Sequence, residues 1–251
     1  MIKVIINGIN GKMGKVLSNA VLNTPDMELA AGFDIYDDGK NACTVYKNPT
    51  DFKGEADVII DFSHPALLKG LIEYAINTNT AVVVATTGLS EEELAVVSMA
   101  SKKIPIFRSA NMSLGVNLLV NLVNQAAKVL FENYDIEIIE KHHNQKIDAP
   151  SGTALMIADE IAKTLDDSIN YTYDRHSVRK KREKNEIGIH AIRGGTIVGE
   201  HEVIFAGKDE IVSVKHEAMS KEIFATGSIR AAKFIYGKTK GLFSMKDVIE
   251  N

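Results

Sequence analysis

From Ile2 to Phe131 the chain alternates short, uninterrupted apolar runs with segments of helical period, and this rhythm constrains the fold more than any other feature. Ile2–Ile6, Glu28–Phe33, Val58–Phe62, Ala81–Ala85 and Ile104–Arg108 read as strands. Lys12–Leu22, Ala66–Asn77, Glu91–Lys102 and Leu114–Phe131 read as helices. A strand that is apolar along its whole length is buried on both faces. That is the condition of a parallel sheet covered by crossover helices. Right-handed βαβ units are the default for such a series.

Past Tyr134 the rhythm changes. Asp135–Lys141 reads as a strand and Thr153–Leu165 as a helix. Ile187–Arg193, Glu200–Ala206 and Ile211–His216 then alternate apolar and polar residues, with Gly194-Gly195 and Gly207-Lys208-Asp209 between them as turn signals. Three such strands in a row predict antiparallel neighbours. A last helix spans about Lys221–Tyr236. The class is therefore α/β: a Rossmann-type parallel sheet plus an α+β domain with a mixed sheet.

Composition narrows the function. At about 100–200 residues per domain, 251 residues fit one large domain or two modest ones. The net charge of −4 argues against a general nucleic-acid binder. A single cysteine, Cys43, excludes an intrachain disulfide framework and any all-cysteine metal site, and fits a cytoplasmic location. No apolar run approaches roughly 18 residues, so no membrane span is expected, and the N-terminus lacks the apolar stretch of a signal peptide.

Gly8-Ile9-Asn10-Gly11-Lys12-Met13-Gly14 follows the first strand and opens the first helix. Backbone N–H groups at a helix start carry partial positive charge and can hold a pyrophosphate. Asn10 replaces the middle glycine of the usual G-x-G-x-x-G pattern. Asp34 ends the second strand about 20 residues after Gly14, where a carboxylate can accept hydrogen bonds from a ribose. The competing reading is an ordinary strand–helix turn. A carboxylate at Asp34 repels a 2′-phosphate and Ile35 offers no compensating cation, so NADH is favoured over NADPH, with Lys12 still able to reach a phosphate. Asp61-Phe62-Ser63, Ala85-Thr86-Thr87-Gly88 and Ser109-Ala110-Asn111-Met112 follow other strands and share the sheet edge where ligands bind.

The densest chemistry is Glu140–Thr153, which contains His142, His143, Lys146, Asp148, Ser151 and Gly152. Two histidines supply proton donors or acceptors near neutral pH. Ser151 is an expected N-cap, and the helix start at Gly152-Thr153 makes an anion site suited to a carboxylate. A metal site is the rival reading, but no established zinc-ligand spacing is present, so none is predicted. The basic stretch Arg175–Lys184 lacks interleaved aromatics and reads as a solvated loop near an anionic substrate's site rather than a nucleic-acid surface. Arg193 and Arg230 read as structural.

The run E-x-H-H-x-x-K-x-D-A-P-S-G-T over Glu140–Thr153 resembles the signature of the 4-hydroxy-tetrahydrodipicolinate reductase (dihydrodipicolinate reductase) family. The Gly8–Gly14 loop, Ile60–Ser63, Thr86–Gly88, Asn111–Asn117, Arg193–Gly195, Val198–His201 and Gly241–Met245 extend the resemblance over nearly the whole chain. Ala85 departs from the family, which commonly has glycine there. The resemblance implies NADH- or NADPH-dependent reduction of a small cyclic dicarboxylate in the diaminopimelate and lysine pathway. It implies His142 as general acid/base, Lys146 as second proton donor, and His143, Gly152 and Thr153 as substrate-binding residues. Gly8, Ile9, Asn10, Gly11, Lys12, Met13, Asp34, Ala85, Thr86, Thr87, Ser109, Ala110, Asn111 and Met112 would line the cofactor. It further implies a homotetramer, a dinucleotide-binding domain of residues 1–113 and 223–251, and a substrate and tetramerisation domain of residues 114–222. Two other classes remain open: a different Rossmann dehydrogenase, and a non-catalytic NAD-sensing protein on the same fold.

Overall fold

A computed structural model describes residues 1–37, 39–165 and 168–250. The chain forms two compact units, Met1–Leu114 with Lys221–Asn251, and Gly115–Ser220. In chain order the first unit contributes β1 (Ile2–Asn7), α1 (Lys12–Leu22), β2 (Met27–Phe33), β3 (Val45–Tyr46), a 3₁₀ turn (Pro49–Asp51), β4 (Val58–Asp61), α2 (Pro65–Thr78), β5 (Ala81–Val84), α3 (Glu91–Ala100) and β6 (Pro105–Arg108). The second contains α4 (Leu114–Leu130), β7 (Asp135–His142), α5 (Gly152–Leu165), β8 (Asn170–Thr172), β9 (Glu186–Arg193), β10 (Gly199–Ala206) and β11 (Ile211–Ala218). The chain then returns to the first unit as α6 (Glu222–Ile235), β12 (Gly241–Phe243) and α7 (Met245–Glu250).

The first sheet is parallel throughout, in the order β12-β6-β5-β4-β1-β2-β3. Strand side chains alternate faces, and both faces are buried. Val4, Ile6, Val58, Ile60, Val83 and Phe107 pack on Leu17 and Val21 of α1 and on Ala225, Ala231, Ala232 and Ile235 of α6. Ile5, Ile59, Val82, Val84 and Ile106 pack on Leu68, Leu71, Ile72 and Ala75 of α2 and on Val97 and Ala100 of α3. This explains the uninterrupted apolar runs. The strand order reverses between β1 and β4, and that switch point opens the crevice where such sheets take ligands.

The second sheet has the order β11-β10-β7-β9-β8. It is mixed: β7 is parallel to β9, and β10 is antiparallel to both β7 and β11. The expected antiparallel pairing of Ile187–Arg193 with Glu200–Ala206 does not form, because β7 lies between them. The passage from β7 through α5 to β9 is long enough for a parallel crossover. Residues Glu186–Ile189 of β9 are buried, as a parallel strand inside a sheet should be. The turn at Gly207–Asp209 does form the expected β10–β11 hairpin, closed by a Gly207 N–H to Glu210 C=O bond of 2.9 Å. One face of the sheet packs on Leu119, Val123 and Ala127 of α4 and Ala154, Ile157, Ala158 and Ile161 of α5. Among the described residues, no helix is long and apolar enough to cross a membrane.

Candidate active site

At the carboxyl end of β1 the backbone is crowded. Gly8 has φ +81, and a Cβ there would lie 2.7 Å from the Phe62 carbonyl oxygen. A Cβ on Gly14 would lie 2.1 Å from the Gly8 oxygen and 2.6 Å from the Ile9 oxygen. These are fixed backbone atoms, so only glycine lets α1 begin this close to the strand. Gly11 caps α1 with no side-chain hydrogen bond, and no acidic residue sits in the helix's first turn. The free N–H ends and their dipole fit a phosphate group.

Asp34 follows β2 directly. Its Oδ2 accepts the Asn10 N–H at 2.9 Å and its Oδ1 the Tyr36 N–H at 3.3 Å, so it braces the glycine loop. The Asn10 side chain donates to the Tyr36 carbonyl and accepts from Asn41 at 2.8 Å. A cavity of about 210 Å³ opens beside Asp34, lined by Asn7, Phe33, Ile35, Lys47, Asn48 and Leu67 among others. Lys12 is exposed and Met13 half-buried at the helix start. Ile9 and Met112 are buried in the core, so their side chains are packing groups. Ser109 donates to the Asn111 carbonyl at 2.8 Å, Ala110 is exposed, and Asn111 accepts the Ser113 N–H. Ala85 and Thr86 are buried and Thr87 is exposed.

Asp61, of the Asp61-Phe62-Ser63 loop expected at this sheet edge, joins these strand ends without having been assigned a contact to the cofactor. It is fully buried. Its Oδ1 accepts from Asn7 Nδ2 at 2.8 Å and Ser63 Oγ at 2.6 Å, and its Oδ2 from Thr86 Oγ1 at 2.8 Å. The carboxylate thus ties the glycine-loop strand to the Thr86-Thr87 loop across the switch point.

In the second unit, His142 is the last residue of β7 and His143 the first beyond it. Glu140, two residues back, shares the buried face with His142. The contact from His142 Nδ1 to Glu140 Oε2 is 2.7 Å. Arg193, paired with His142 across β7 and β9, donates to both Glu140 oxygens at 2.7 Å, and the Ser151 N–H adds a bond of 3.0 Å. Burial alone would raise the Glu140 carboxyl; the bonds from Arg193, His142 and Ser151 outweigh it and hold it below the usual carboxylate value. Burial pushes His142 down, against the pull of Glu140 and aided by Lys146 and Arg193.

Ser151 is the helix cap the sequence predicts. Its Oγ accepts the Ala154 N–H at 3.1 Å and contacts His201 Nε2 at 2.9 Å. His201 is 5% exposed, and burial, with the His142 charge next, pushes it down to about 4. Its ring meets that of His142 edge-on at 5.2 Å. Lys146 pairs with Asp148 at 2.8 Å. Gly152 is exposed at the start of α5, with Thr153 half-buried beside it. Proton-exchanging groups, a cation and a helix start thus share one end of this sheet. Glu140 and His201 are members of the cluster to which the sequence reading gave no role; the alternation of β7 and β10 is the signal that puts them on the His142 face.

The stretch Arg175–Lys184 is an exposed loop, as expected, but two of its arginines are tied to the sheet away from this cluster. Arg182 pairs with Asp135 at 2.9 Å and Glu137 at 3.1 Å, and Arg175 with Glu186 at 2.9 Å and Glu137 at 3.3 Å. Asp135 and Glu137 lie at the start of β7, the opposite end from His142. Arg175 and Arg182 neutralise acids on the sheet. Gly188 makes room for this, since a Cβ there would lie 1.7 Å from Glu137 Oε2. Burial pushes the Cys43 thiol up to about 11, which argues against a thiolate nucleophile. Among the described residues, no three His, Cys, Asp or Glu side chains gather as a metal ion would require.

Comparison with known proteins agrees with the geometry. Residues 2–112 match the model for the dihydrodipicolinate reductase N-terminus, and residues 115–249 match that for its C-terminus. The chain is 53% identical over 254 residues to the 4-hydroxy-tetrahydrodipicolinate reductase of Caldanaerobacter subterraneus subsp. tengcongensis, covering 100% of this chain and 99% of that one. It is 49% identical to the Clostridium novyi enzyme of the same name, with the same coverage. The dipicolinate-bound dihydrodipicolinate reductase from Paenisporosarcina sp. TG-14 superposes with a TM-score of 0.81 at 26% identity, covering 97% of each chain. The chain belongs to the dihydrodipicolinate reductase family.

Proposed function

We propose that this chain reduces 4-hydroxy-tetrahydrodipicolinate to tetrahydrodipicolinate with a reduced nicotinamide dinucleotide, a step of diaminopimelate and lysine synthesis. The observation that carries the reading is the polar cluster at the end of β7, where His142, Glu140, Arg193 and Ser151 are bonded together and Lys146 follows. The cluster matches what a dicarboxylate and a proton-transfer step need. The names and identities of the relatives supply the substrate.

A reduced nicotinamide dinucleotide, held by the glycine loop of the first unit, would supply the hydride. Replacing a hydroxyl by a hydride also consumes a proton and releases water. His142, or Lys146 once released from Asp148, gives that proton. Lys146, His143 and the N–H groups at Gly152-Thr153 hold the substrate carboxylates. Gly8 to Met13, Asp34, Ala85 to Thr87 and Ser109 to Met112 line the dinucleotide, Ile9 and Met112 through their backbone. Asp34 favours NADH, because a 2′-phosphate beside its carboxylate is repelled. Among the described residues, no helix of the unit packs on the sheet face bearing Ile139, Ile192 and Ile204, which supports assembly as a homotetramer through that sheet.

The test is NADH oxidation, followed by absorbance, with freshly generated substrate and with NADPH in parallel. Turnover with NADH preferred is expected. Binding of NADH with no oxidation would favour a sensor, and no binding would sink both readings.

A further inference from the structure

We propose that Glu140 and Arg193 are positioning residues that hold His142 as its Nδ1–H tautomer, making Nε2 the nitrogen that exchanges the reaction's proton. The proposal rests on the reductase reading and adds which atom works and what orients it.

The argument begins with hydrogen-bond capacity. An ionised carboxylate only accepts. Glu140 is fully buried, and its two oxygens take two bonds from Arg193 and one from the Ser151 N–H, all at 3.0 Å or less. Three donors of this kind keep it ionised. The remaining contact, 2.7 Å to His142 Nδ1, therefore requires a proton on the nitrogen. In neutral imidazole the other nitrogen then carries the lone pair.

Space around Nε2 points the same way. The nearest atom to a Cβ placed on Gly199 would be His142 Nε2, at 3.0 Å. Gly199 lies directly before β10's Glu200, which pairs with Lys141, so the residue beside the ring is fixed by sheet register. A side chain there would cover Nε2, and glycine leaves it clear.

Arg193 also tunes the ring. The charged and titratable groups facing His142 are Glu140 on its own strand, Arg193 from β9, His201 from β10, and Lys146 with its partner Asp148 from the following loop. Arg193 neutralises much of the Glu140 charge, so Glu140 orients the ring without making it a permanent cation. His142 is pushed below the ordinary histidine value, in keeping with this balance. Its imidazolium, once formed, gives up the Nε2 proton readily. The step balances with the hydride supplied at the ring carbon: the Nε2–H bond breaks, an O–H bond forms on the departing hydroxyl, which leaves as water, and the neutral Nδ1–H ring is left to regain a proton from solvent.

The experiment uses the full-length protein. In protein labelled with ¹⁵N-histidine, with His142 assigned by comparison with His142→Asn, the wild type should show Nδ1 protonated and Nε2 unprotonated when the ring is neutral. The reverse tautomer, or an even mixture, would overturn the proposal whatever the kinetic variants show. In kinetics, Glu140→Gln should lower kcat on the order of 10–100-fold with NADH affinity unchanged, and move the His142 limb of the pH profile to lower pH. Arg193→Gln should move that limb to higher pH, and Arg193→Lys should return it toward the wild-type position. Shifts in the same direction for Glu140→Gln and Arg193→Gln, or no shift in either, would reduce the pair to a structural role. A wild type that has the expected tautomer but fails to oxidise NADH with substrate would refute the reductase reading and leave the tautomer assignment standing.

Discussion

Replacing His201 with glutamine should change how stability depends on acid, by an amount the structure predicts. His201 is 5% exposed, its Nε2 contacts the Ser151 hydroxyl, and its value lies at about 4 against an ordinary 6.5. Between those two values the unfolded chain binds a proton that the folded ring refuses. Stability therefore rises with pH across this window and falls as pH drops through it. At about 1.36 kcal/mol per pH unit, two and a half units give roughly 3 kcal/mol lost between pH 6.5 and 4. His142 and His216 are also pushed down by burial and add to the acid sensitivity of wild type and variant alike. The His216 contribution cancels in the difference, whereas His142, in ring contact with His201, is coupled to it, so the difference also carries the interaction of that pair. Glutamine keeps an amide nitrogen able to meet Ser151 and cannot titrate. Urea unfolding at half-unit steps from pH 4 to 7, followed by circular dichroism and tyrosine fluorescence together, measures both curves. The wild type should lose about 3 kcal/mol more than His201→Gln over the window. Parallel curves within about 0.5 kcal/mol would show that His201 is protonated or solvated in the folded protein, and the burial argument would fail.

Three other outcomes are expected. His142→Ala and Lys146→Ala should each lower kcat on the order of 10²-fold with NADH affinity little changed; near-wild-type turnover in both would remove them from the chemistry. Gly14→Ala places a Cβ 2.1 Å from the Gly8 carbonyl oxygen, so NADH binding by calorimetry should be lost, and retained affinity would mean that the loop does not hold the pyrophosphate. Asp34→Ser removes the charge that repels a 2′-phosphate, and the ratio of kcat/KM for NADPH to that for NADH should rise about tenfold, or roughly 1.4 kcal/mol; an unchanged ratio would place the discriminating group elsewhere.

Much of the parallel unit was legible because its signals are local. Uninterrupted apolar runs marked β1, β2, β4, β5 and β6, and the α1 bounds Lys12–Leu22 match the expected ones. The two-residue β3 and three-residue β12 escaped notice, since strands this short have no measurable period. The order of the second sheet was also hidden. Gly194-Gly195 looks like a hairpin to any local reading, and only the pairing of β7 with both β9 and β10 shows otherwise. At the site, the run Glu140–Thr153 brought out His142, Lys146 and Ser151. The partnership of Glu140 with Arg193 spans 53 residues and depends on strand register, which local spacing does not encode. The basic stretch misled for the same reason: its acidic partners, Asp135 and Glu137, lie some 45 residues upstream.

The return of the chain to its first unit has a consequence for synthesis. One face of the parallel sheet is covered by α6, and the edge strand β6 is paired by β12, and both of these follow the second unit in the chain. A ribosome adding roughly 5–20 residues per second spends several seconds making that intervening unit. Throughout this interval the nascent sheet exposes Val83, Phe107 and the open edge of β6 to whatever else is in solution. The second unit has its own core, so in a chain made from the N-terminus all of its packing partners are present before those of the first unit are complete. It is at that stage, rather than in the completed protein, that the sheet's apolar face and the β6 edge lie uncovered.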